Sequence, residues 1–166
     1  MTLYGCKRRI WLFLLNHVYV GVKNFEKKRI LMQKLGHEVG EGTKIVGPVF
    51  CTGKLKIGND CWIGKNLLVN GDGTVTIGNN CDIAPEVAFQ TGGHKIGTAE
   101  RRAGKGVVFN TSVGNGCWIG ARSTILGGVH IGDSCVVAAC ACVCNDVEKD
   151  SLVGGVPART IRRLEE

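Results

Sequence analysis

His94 offers the clearest group for proton transfer in this chain of 166 residues. It follows Gly92 and Gly93 in a polar stretch that also holds several charged side chains. An imidazole with the ordinary histidine pKa of about 6.5 is largely neutral at physiological pH, so it can accept a proton from a substrate hydroxyl. A histidine in a polar loop can also have no chemical role, and its neighbours leave both interpretations open. The other histidines are interpreted as structural: His17, His37 and His130.

Nine cysteines form a second set of residues that could do chemistry. Four of them follow the pattern Ile/Val-Gly-x-x, so each occupies the same slot of a repeat: Cys61, Cys81, Cys117 and Cys135. Such a slot suits a small apolar side chain, which an unpaired cysteine supplies. The run Cys140, Cys142 and Cys144 lacks the C-x-x-C and histidine spacing of a zinc site, and the odd total disfavours a disulfide scaffold. The cysteines therefore predict reduced thiols in a cytoplasmic protein that requires no metal.

The excess positive charge lies at one end of the chain. Residues 1–37 carry eight basic side chains and one acidic side chain, whereas residues 38–166 carry thirteen of each sign. A domain that grips a nucleic-acid backbone is expected to carry the basic excess on its body. The distribution therefore disfavours nucleic-acid binding, and we expect no nucleic-acid partner.

The basic segment also carries apolar residues at helical spacing. These residues are Trp11, Leu14, Leu15, Val18, Val22 and Phe25. The pattern predicts one amphipathic helix that packs on the body or on a sister subunit. The alternative is a peripheral contact of residues 7–29 with an anionic inner membrane face, to which each nearby cation adds about 1 kcal/mol. Asn16 and His17 interrupt the apolar stretch and no A-x-A site follows, which disfavours a signal peptide.

An aliphatic residue, or a cysteine or phenylalanine in its place, recurs every six positions over most of the chain. The positions are Val39, Ile45, Cys51, Ile57, Ile63, Val69 and Val75, then Ile77, Ile83 and Phe89, then Val107, Val113, Ile119, Ile125, Ile131, Val137 and Val143. Neither the helical nor the strand period fits this spacing, but a β-helix of hexapeptide repeats does. Three hexads form one coil, and coils stack at the strand spacing of about 4.8 Å. We expect about five to six coils around an aliphatic core.

Two interruptions of the period mark candidate functional loops. The sequence Gly71-Asp72-Gly73 adds two residues at one corner. Between Ile77 and Val107 there are 30 residues where one coil needs 18, which predicts a 12-residue excursion near residues 92–106. The excursion holds His94, Glu100, Arg101, Arg102 and Lys105.

These patterns divide the chain into three parts and predict an all-β fold. Residues 1–37 form the basic helical segment, and residues 38–153 form the β-helix with its excursion. Residues 154–166 form a tail that we expect to contain a short helix.

Four segments together resemble the hexapeptide-repeat acetyltransferases, and most of all their maltose and galactoside O-acetyltransferase branch. The segments are 57–64 (IGNDCWIG), 76–85 (TIGNNCDIAP), 116–121 (GCWIGA) and 154–159 (GGVPAR). The resemblance covers residues from about 39 to 163. It implies a left-handed coil, a homotrimer with active sites between subunits, and acetyl-CoA as the co-substrate. The implied reaction acetylates a hydroxyl of a small molecule, a sugar or a cell-surface glycan precursor.

The resemblance also implies roles for individual residues. His94 matches the catalytic base of the family, and Asp72 and Asn70 lie where the family binds its acceptor. The positions that contact coenzyme A correspond to Trp118, Gly120, Ala121, Ala139, Asn145, Arg159 and Arg162. This chain departs from the pattern at Gly64, where the family has an acceptor-binding asparagine. It departs again at Cys144-Asn145, where a Thr-Lys pair is expected and one phosphate contact is lost.

Other functions stay open at this point. The prism also resembles the serine acetyltransferases, although their long helical domain is not seen in this sequence. An N-acetyltransferase acting on an amino sugar, or a β-helix with a purely structural role, would carry a similar repeat. A γ-type carbonic anhydrase needs three histidines on zinc. Only His94 and His130 lie in the repeat region, so this function is disfavoured.

Overall fold

The computed structural model describes residues 3–165. Its N-terminal part contains α1 (Leu3–Phe13), a π-helical turn (Leu14–Val18) that continues α1, and α2 (Phe25–Lys34). The prediction of one helix through Phe25 is wrong, because the chain breaks before α2. Gly21 and Asn24 in the break have positive φ angles of 88° and 55°, which a right-handed helix does not contain. Val22, which the helical pattern placed on the packed face, is 64 % exposed.

Both helical elements nevertheless pack on the body, as expected. Leu15, Leu31 and Met32 are buried and belong to the same apolar core as the first coil. The ring of Phe25 meets the ring of Trp62 edge-on, with centroids 5.8 Å apart. The helical segment therefore closes one end of the fold.

The rest of the described chain winds into coils of short strands. In chain order the strands are β1 (Glu38–Val39), β2 (Lys44–Ile45), β3 (Val49–Cys51), β4 (Lys54–Ile57), β5 (Trp62–Ile63), β6 (Leu67–Asn70), β7 (Thr74–Ile77), β8 (Asp82–Ile83), β9 (Ala88–Gln90), β10 (Gly92–Ile96), β11 (Ala103–Val108), β12 (Thr111–Val113), β13 (Trp118–Ile119), β14 (Thr124–Leu126), β15 (His130–Ile131), β16 (Val136–Val137), β17 (Cys142–Val143), β18 (Ser151–Gly155) and β19 (Ala158–Arg163).

The coils stack into a three-sided prism. Strands β1, β4, β7, β12 and β15 are parallel neighbours on one side, which we call face A. Face B contains β2, β5, β8, β13, β16 and β18, and face C contains β3, β6, β9, β14 and β17. The fold is a left-handed parallel β-helix of about 6 turns, as predicted.

The predicted coil length is confirmed by the strand register. Val113 pairs with Ile131, eighteen residues later, and both side chains are buried. The extra length at Gly71-Asp72-Gly73 is confirmed too, because Leu55 pairs with Val75, twenty residues later. The stacked aliphatic side chains form one continuous core, which explains how the fold forms with few aromatic residues.

The four repeated cysteines lie at the corner between faces A and B. Each is at most 2 % exposed, which confirms the small apolar slot. Their thiols also bond the next coil: the Sγ of Cys81 donates to the Gly114 carbonyl at 3.0 Å, and that of Cys117 to the Gly132 carbonyl at 3.1 Å. These cysteines therefore link successive coils as well as filling space, which the repeat alone does not reveal.

The excursion is longer than predicted. Ile77 pairs with Val113, thirty-six residues later, so eighteen residues and not twelve leave the prism. Val107, which the period placed in the core, lies on the antiparallel hairpin of β10 and β11 outside it. Eighteen residues equal three hexads, so the insertion preserves the six-residue phase. Periodicity alone therefore could not locate its ends.

The expected C-terminal helix is wrong, because residues 158–163 form strand β19. This strand runs antiparallel to β18 and pairs with it from Gly155–Ala158 to Ser151–Arg163. Strand β18 is the last rung of face B, and β19 satisfies backbone groups that would otherwise lie at an open edge. The guanidinium of Arg163 secures the hairpin by bonding the Lys149 carbonyl at 2.6 Å. Within residues 3–165, no helix is long and apolar enough to span a bilayer.

A buried lysine holds the break between the helical elements. Lys28 is fully buried, and its Nζ donates to the carbonyls of Gly21 at 2.5 Å and Val46 at 3.1 Å. Burial disfavours the charged amine and lowers the pKa of Lys28 to about 8. The unfolded chain, with a pKa near 10.5, therefore binds more protons than the folded chain between these two pH values.

We predict that the contribution of Lys28 to the free energy of unfolding increases as the pH rises from 8 to 10. The free energy of unfolding of the wild type minus that of Lys28→Met should increase by about 1 kcal/mol per pH unit or less. Urea denaturation at both pH values measures this difference, in which cysteine titration cancels. Lys23→Met removes an exposed lysine and should give no such trend. A pH-independent difference for Lys28→Met would contradict the buried, partly neutralised amine.

Candidate functional site

The β10–β11 hairpin carries His94 away from the prism. His94 lies opposite Gly106 in the register of the hairpin, and its side chain is exposed. Its Nδ1 lies 2.8 Å from the carbonyl oxygen of Gly104. Because a carbonyl only accepts, Nδ1 carries the proton in this bond and the Nε2 lone pair of the neutral ring points elsewhere. This is the tautomer that a general base requires at Nε2.

The base of the hairpin is fixed to the lengthened corner beside it. Thr91 is fully buried, and its Oγ1 donates to the Asn70 carbonyl at 2.9 Å and accepts from the Gly73 amide at 3.3 Å. A Cβ on Gly71 would lie 2.2 Å from the Gly92 nitrogen, so the two backbones touch. Asp72, the middle residue of the corner, is exposed. Sequence reasoning missed Thr91, whose only signal in the sequence is a polar residue directly before two glycines.

The structure therefore gathers the predicted acceptor-binding and catalytic residues at one corner of the prism. Asn70 is exposed at the end of β6, and its Nδ2 donates to Gln90 Oε1 at 3.2 Å. Asp72 follows two residues later, and His94 is carried by the hairpin that begins at the same corner. This corner lies between face C and face A.

The predicted cofactor-binding residues lie elsewhere. Trp118 stands on face B between Asp82 and Val136, and it is 58 % exposed. Gly120 and Ala139 touch at the corner between faces B and C, where a Cβ on Gly120 would lie 2.5 Å from the Ala139 nitrogen. Ala121 belongs to the same corner, because its carbonyl accepts from the Cys140 amide at 2.9 Å.

The last group of predicted residues lies at the C-terminal end of the prism. Asn145 and Arg159 line one small cleft of about 240 Å³. Arg162 is exposed on β19 opposite Leu152. Arg163 bonds Glu148, so this arginine acts in the hairpin. The guanidinium of Arg159 donates to the Ala158 carbonyl, and that of Arg162 donates to the Arg163 carbonyl. Both guanidinium groups are exposed, so they are accessible to an anionic ligand.

The geometry thus divides the predicted residues between opposite sides of one chain. In a three-sided prism, the corner between faces C and A lies opposite face B. The His94 corner and Trp118 are therefore separated by the aliphatic core. Among residues 3–165, no three His, Cys, Asp or Glu side chains lie close enough to share a metal ion.

We predict that the Gly71–Gly92 contact positions the hairpin that carries His94. Gly71 has a φ of 102°, and Gly71→Ala would add a methyl group against the backbone of Gly92. The strain should lower the free energy of unfolding by about 1–3 kcal/mol and speed amide exchange in residues 92–108. Gly106→Ala is the matched control, because a Cβ there meets nothing within 4 Å. Equal amide exchange in both variants would contradict this role of the corner.

Comparisons with known proteins agree with the β-helical fold. A family model described as "Bacterial transferase hexapeptide (six repeats)" matches residues 110–145, and one described as "Hexapeptide repeat of succinyl-transferase" matches residues 54–84. The galactoside O-acetyltransferase of Escherichia coli K12 is 34 % identical over 143 residues, which cover 85 % of this chain and 70 % of that protein.

Solved structures give the same result. A galactoside acetyltransferase in complex with coenzyme A superposes with a TM-score of 0.82 at 29 % identity, covering 98 % of this chain and 81 % of that chain. A hexapeptide-repeat acetyltransferase of Vibrio cholerae O1 biovar eltor, complexed with acetyl coenzyme A, has a TM-score of 0.75 at 27 % identity over 98 % and 88 % of the two chains. Acetyl-CoA is therefore the co-substrate of an acetyl transfer. The chain belongs to the hexapeptide-repeat acetyltransferases.

Proposed function

We propose that this protein transfers the acetyl group of acetyl-CoA to a hydroxyl of a sugar or of a cell-surface glycan precursor, with His94 as the general base. The observation that carries the proposal is the hydrogen bond from His94 Nδ1 to the Gly104 carbonyl, which leaves Nε2 able to accept a proton. The galactoside O-acetyltransferase of Escherichia coli supports a sugar acceptor.

The reaction needs a base because a sugar hydroxyl is a weak nucleophile at neutral pH. Nε2 of His94 takes the hydroxyl proton while the oxygen attacks the thioester carbonyl. The tetrahedral intermediate then collapses, the C–S bond breaks, and the His94 imidazolium returns the proton to the sulfur, so that coenzyme A leaves as a thiol. The bond to Gly104 orients the imidazole and stabilises the imidazolium formed in between, because the carbonyl oxygen carries a partial negative charge.

The acceptor and the donor are assigned to different residues. We assign the acceptor to Asp72 and Asn70 at the His94 corner, and the pantetheine arm to Trp118, Gly120, Ala121 and Ala139. Asn145, Arg159 and Arg162 are assigned to the phosphate end of coenzyme A, since Asn145 and Arg159 share one cleft and arginines pair well with phosphates.

The position of these groups favours a homotrimer with shared sites. Within one chain, the His94 corner and Trp118 lie on opposite sides of the core, so a complete site needs a second copy. The hairpin also leaves apolar surface uncovered, as Ile96 is 88 % exposed and Val108 is exposed too. Threefold packing of prisms would bring the hairpin of one protomer to face B of its neighbour.

A membrane contact through residues 7–29 stays a prediction. Exposed apolar side chains lie beside exposed cations in this segment: Ile10, Phe13, Val18, Val20 and Val22 near Lys7, Arg8, Arg9, Lys23 and Lys27. This arrangement suits an anionic lipid surface or a sister subunit equally.

His94→Gln is expected to lower kcat by about 10²–10⁴-fold while the KM for acetyl-CoA changes little. Release of the free coenzyme A thiol from acetyl-CoA, measured with a panel of sugars, amino sugars and serine, tests the base and the acceptor class together. His130→Gln is the control, since His130 lies on β15 of face A, away from the hairpin. Equal activity of His94→Gln and the wild type would overturn the role of His94. Activity on serine or on amino groups alone would overturn the sugar hydroxyl as acceptor.

The shared site predicts that two inactive variants complement each other. In trimers assembled from a mixture of His94→Gln and Trp118→Ala chains, about one quarter of the sites would combine a wild-type hairpin with a wild-type face B. Co-refolded mixtures should therefore regain activity that neither variant has alone. Sedimentation equilibrium should give three times the chain mass of 17.8 kDa. A monomeric mass, or mixtures that stay inactive, would contradict the shared site.

A further inference from the structure

Two cysteines near the C-terminal end of the prism hold their thiols side by side. The Sγ atoms of Cys142 and Cys144 are 3.7 Å apart, and the thiol of Cys144 also donates to the Cys142 carbonyl at 3.5 Å. Both side chains are half-buried, whereas Val143 between them is buried in the core. Because alternate residues of a strand point to the same side, the pair lies on the outer surface of face C at the end of β17.

The spacing of this pair allows a disulfide bond. Residues two apart in a strand are separated by about 6.6 Å, and disulfides usually join Cα atoms about 4.4–6.8 Å apart. Closing the bond would bring the two Sγ atoms from 3.7 Å to about 2.0 Å apart, so each has to move by less than about 1 Å. The four repeated cysteines are at most 2 % exposed and therefore closed to an aqueous oxidant.

Metal binding is the other common role of neighbouring cysteines, and the geometry does not favour it here. Structural zinc requires four ligands. Within residues 3–165, no three His, Cys, Asp or Glu side chains are close enough to share a metal ion, so Cys140 does not complete a site with the pair. Cys140 is exposed at the preceding corner, where its φ is 60° and its amide donates to the Ala121 carbonyl. The pair is therefore suited to oxidation.

A bond within the pair would also move the residue that follows it. β17 is the terminal strand of face C and pairs with β14. A strand at the end of a sheet shifts at a lower cost than one between two neighbours. Asn145 comes directly after Cys144 and lines two clefts, one of about 320 Å³ together with Cys144 and one of about 240 Å³ together with Arg159. Pulling Cys144 towards Cys142 therefore changes the position of Asn145 in both clefts.

We propose that Cys142 and Cys144 form a redox-sensitive modification site, which a peroxide converts to a disulfide that weakens the binding of acetyl-CoA. In a reducing compartment such disulfides are transient and serve as redox sensors, so this site is compatible with reduced thiols at rest. The effect on acetyl-CoA rests on the proposed function, which assigns Asn145 to the phosphate end of coenzyme A. The disulfide itself does not depend on that assignment.

The oxidation proceeds in two steps. Cys144 reacts first, because it lines a cleft, whereas burial and the neighbouring Cys144 thiol raise the pKa of Cys142. The Cys144 thiolate attacks one oxygen of hydrogen peroxide, the O–O bond breaks, and the released hydroxide takes up the proton that the thiol lost. The sulfur of Cys142 then attacks the resulting sulfenic acid, the S–O bond breaks, and the hydroxyl group leaves with the Cys142 proton as water. Two thiols together lose two electrons, and one peroxide becomes two waters.

The first measurement follows the bond itself. The full-length protein is treated with an equimolar amount of hydrogen peroxide, the remaining thiols are alkylated, and peptides are mapped by mass spectrometry. We expect Cys142 and Cys144 to escape alkylation, their peptide to lose two hydrogen atoms, and dithiothreitol to reverse the change.

Three variants control this measurement. Cys142→Ser and Cys144→Ser should each abolish the loss of hydrogen, because each removes one partner of the bond. Cys140→Ser is the matched control, since it removes an exposed thiol outside the pair and should keep the disulfide. Alkylation of both thiols after peroxide treatment would overturn the proposal, as would a disulfide from either one to Cys140 or to a second chain.

The second measurement is the affinity for acetyl-CoA, determined by equilibrium dialysis with reduced and oxidised protein. Acetyl-CoA is the probe because its sulfur is a thioester and cannot reduce the disulfide. Oxidation should weaken binding about two- to tenfold, which is the worth of one hydrogen bond. The double variant Cys142→Ser/Cys144→Ser should bind equally before and after peroxide. Thermal melting of each form establishes that the fold is intact.

Asn145→Ala tests whether Asn145 connects the pair to the ligand. The reduced variant should bind acetyl-CoA as weakly as the oxidised wild type, and oxidation should weaken it no further, because the contact is already lost. Further weakening of Asn145→Ala on oxidation would overturn this connection.

Failure of this inference is distinguishable from failure of the proposed function. A disulfide that forms without any change in acetyl-CoA affinity would overturn the regulation and leave the reaction at His94 as proposed. A reduced protein that acetylates no sugar, but still forms the disulfide and then binds acetyl-CoA less tightly, would keep the redox site and reject the sugar O-acetyltransferase.

Discussion

The parallel hydrogen bonds between successive coils hold each corner one strand spacing from the next, and this spacing leaves no room for a side chain at the glycine that follows each strand of face A. A Cβ on Gly58, Gly78 or Gly114 would come within 2.7 Å of the amide or carboxylate oxygen stacked on it. Those oxygens are in use, because Asn79 Oδ1 accepts from the Asn59 amide at 2.8 Å, and Asn115 Oδ1 accepts from the Asn79 amide at the same distance. These glycine positions are thus crowded and bonded to the next coil, so the chain has little freedom to add a side chain at them.

Sequence patterns predicted the parts of the fold that repeat. They failed where one long-range contact determines whether a segment is a helix, a break or a strand. The hexad positions, the cysteine slot and the two-residue lengthening at Asp72 follow from the spacing of aliphatic residues and glycines. The end of the first helical element depends on Lys28 and Gly21 meeting Val46, a residue from a distant part of the chain. Strand β19 depends on the open edge of β18. Neither partner is visible in the local sequence, so helical periodicity and the charged tail gave the wrong elements.

The candidate site shows the same contrast between residues that the sequence could identify and contacts that only the structure reveals. The residues assigned to it were found by likeness to a family, because one sequence does not show which corner stacks on which. The structure adds two features of the proposed site: the buried Thr91 that ties the hairpin to the prism, and the Gly104 carbonyl that accepts from His94 Nδ1. Gly104 lies ten residues after His94 in the sequence, and the two residues meet because β10 pairs with β11. The local sequence does not show this contact.

The closed corners also bear on which acceptor this protein uses. Resemblance to the family places an acceptor-binding asparagine at Gly64, but a Cβ there would lie 2.6 Å from the Pro85 nitrogen and 2.9 Å from the Ile83 carbonyl oxygen. Backbone atoms cannot yield as a flexible side chain can, so a side chain at this position would force the next coil to move. This chain therefore lacks an amide side chain at that corner, and the acceptor-binding residues that we propose, Asn70 and Asp72, lie at the corner between faces C and A instead.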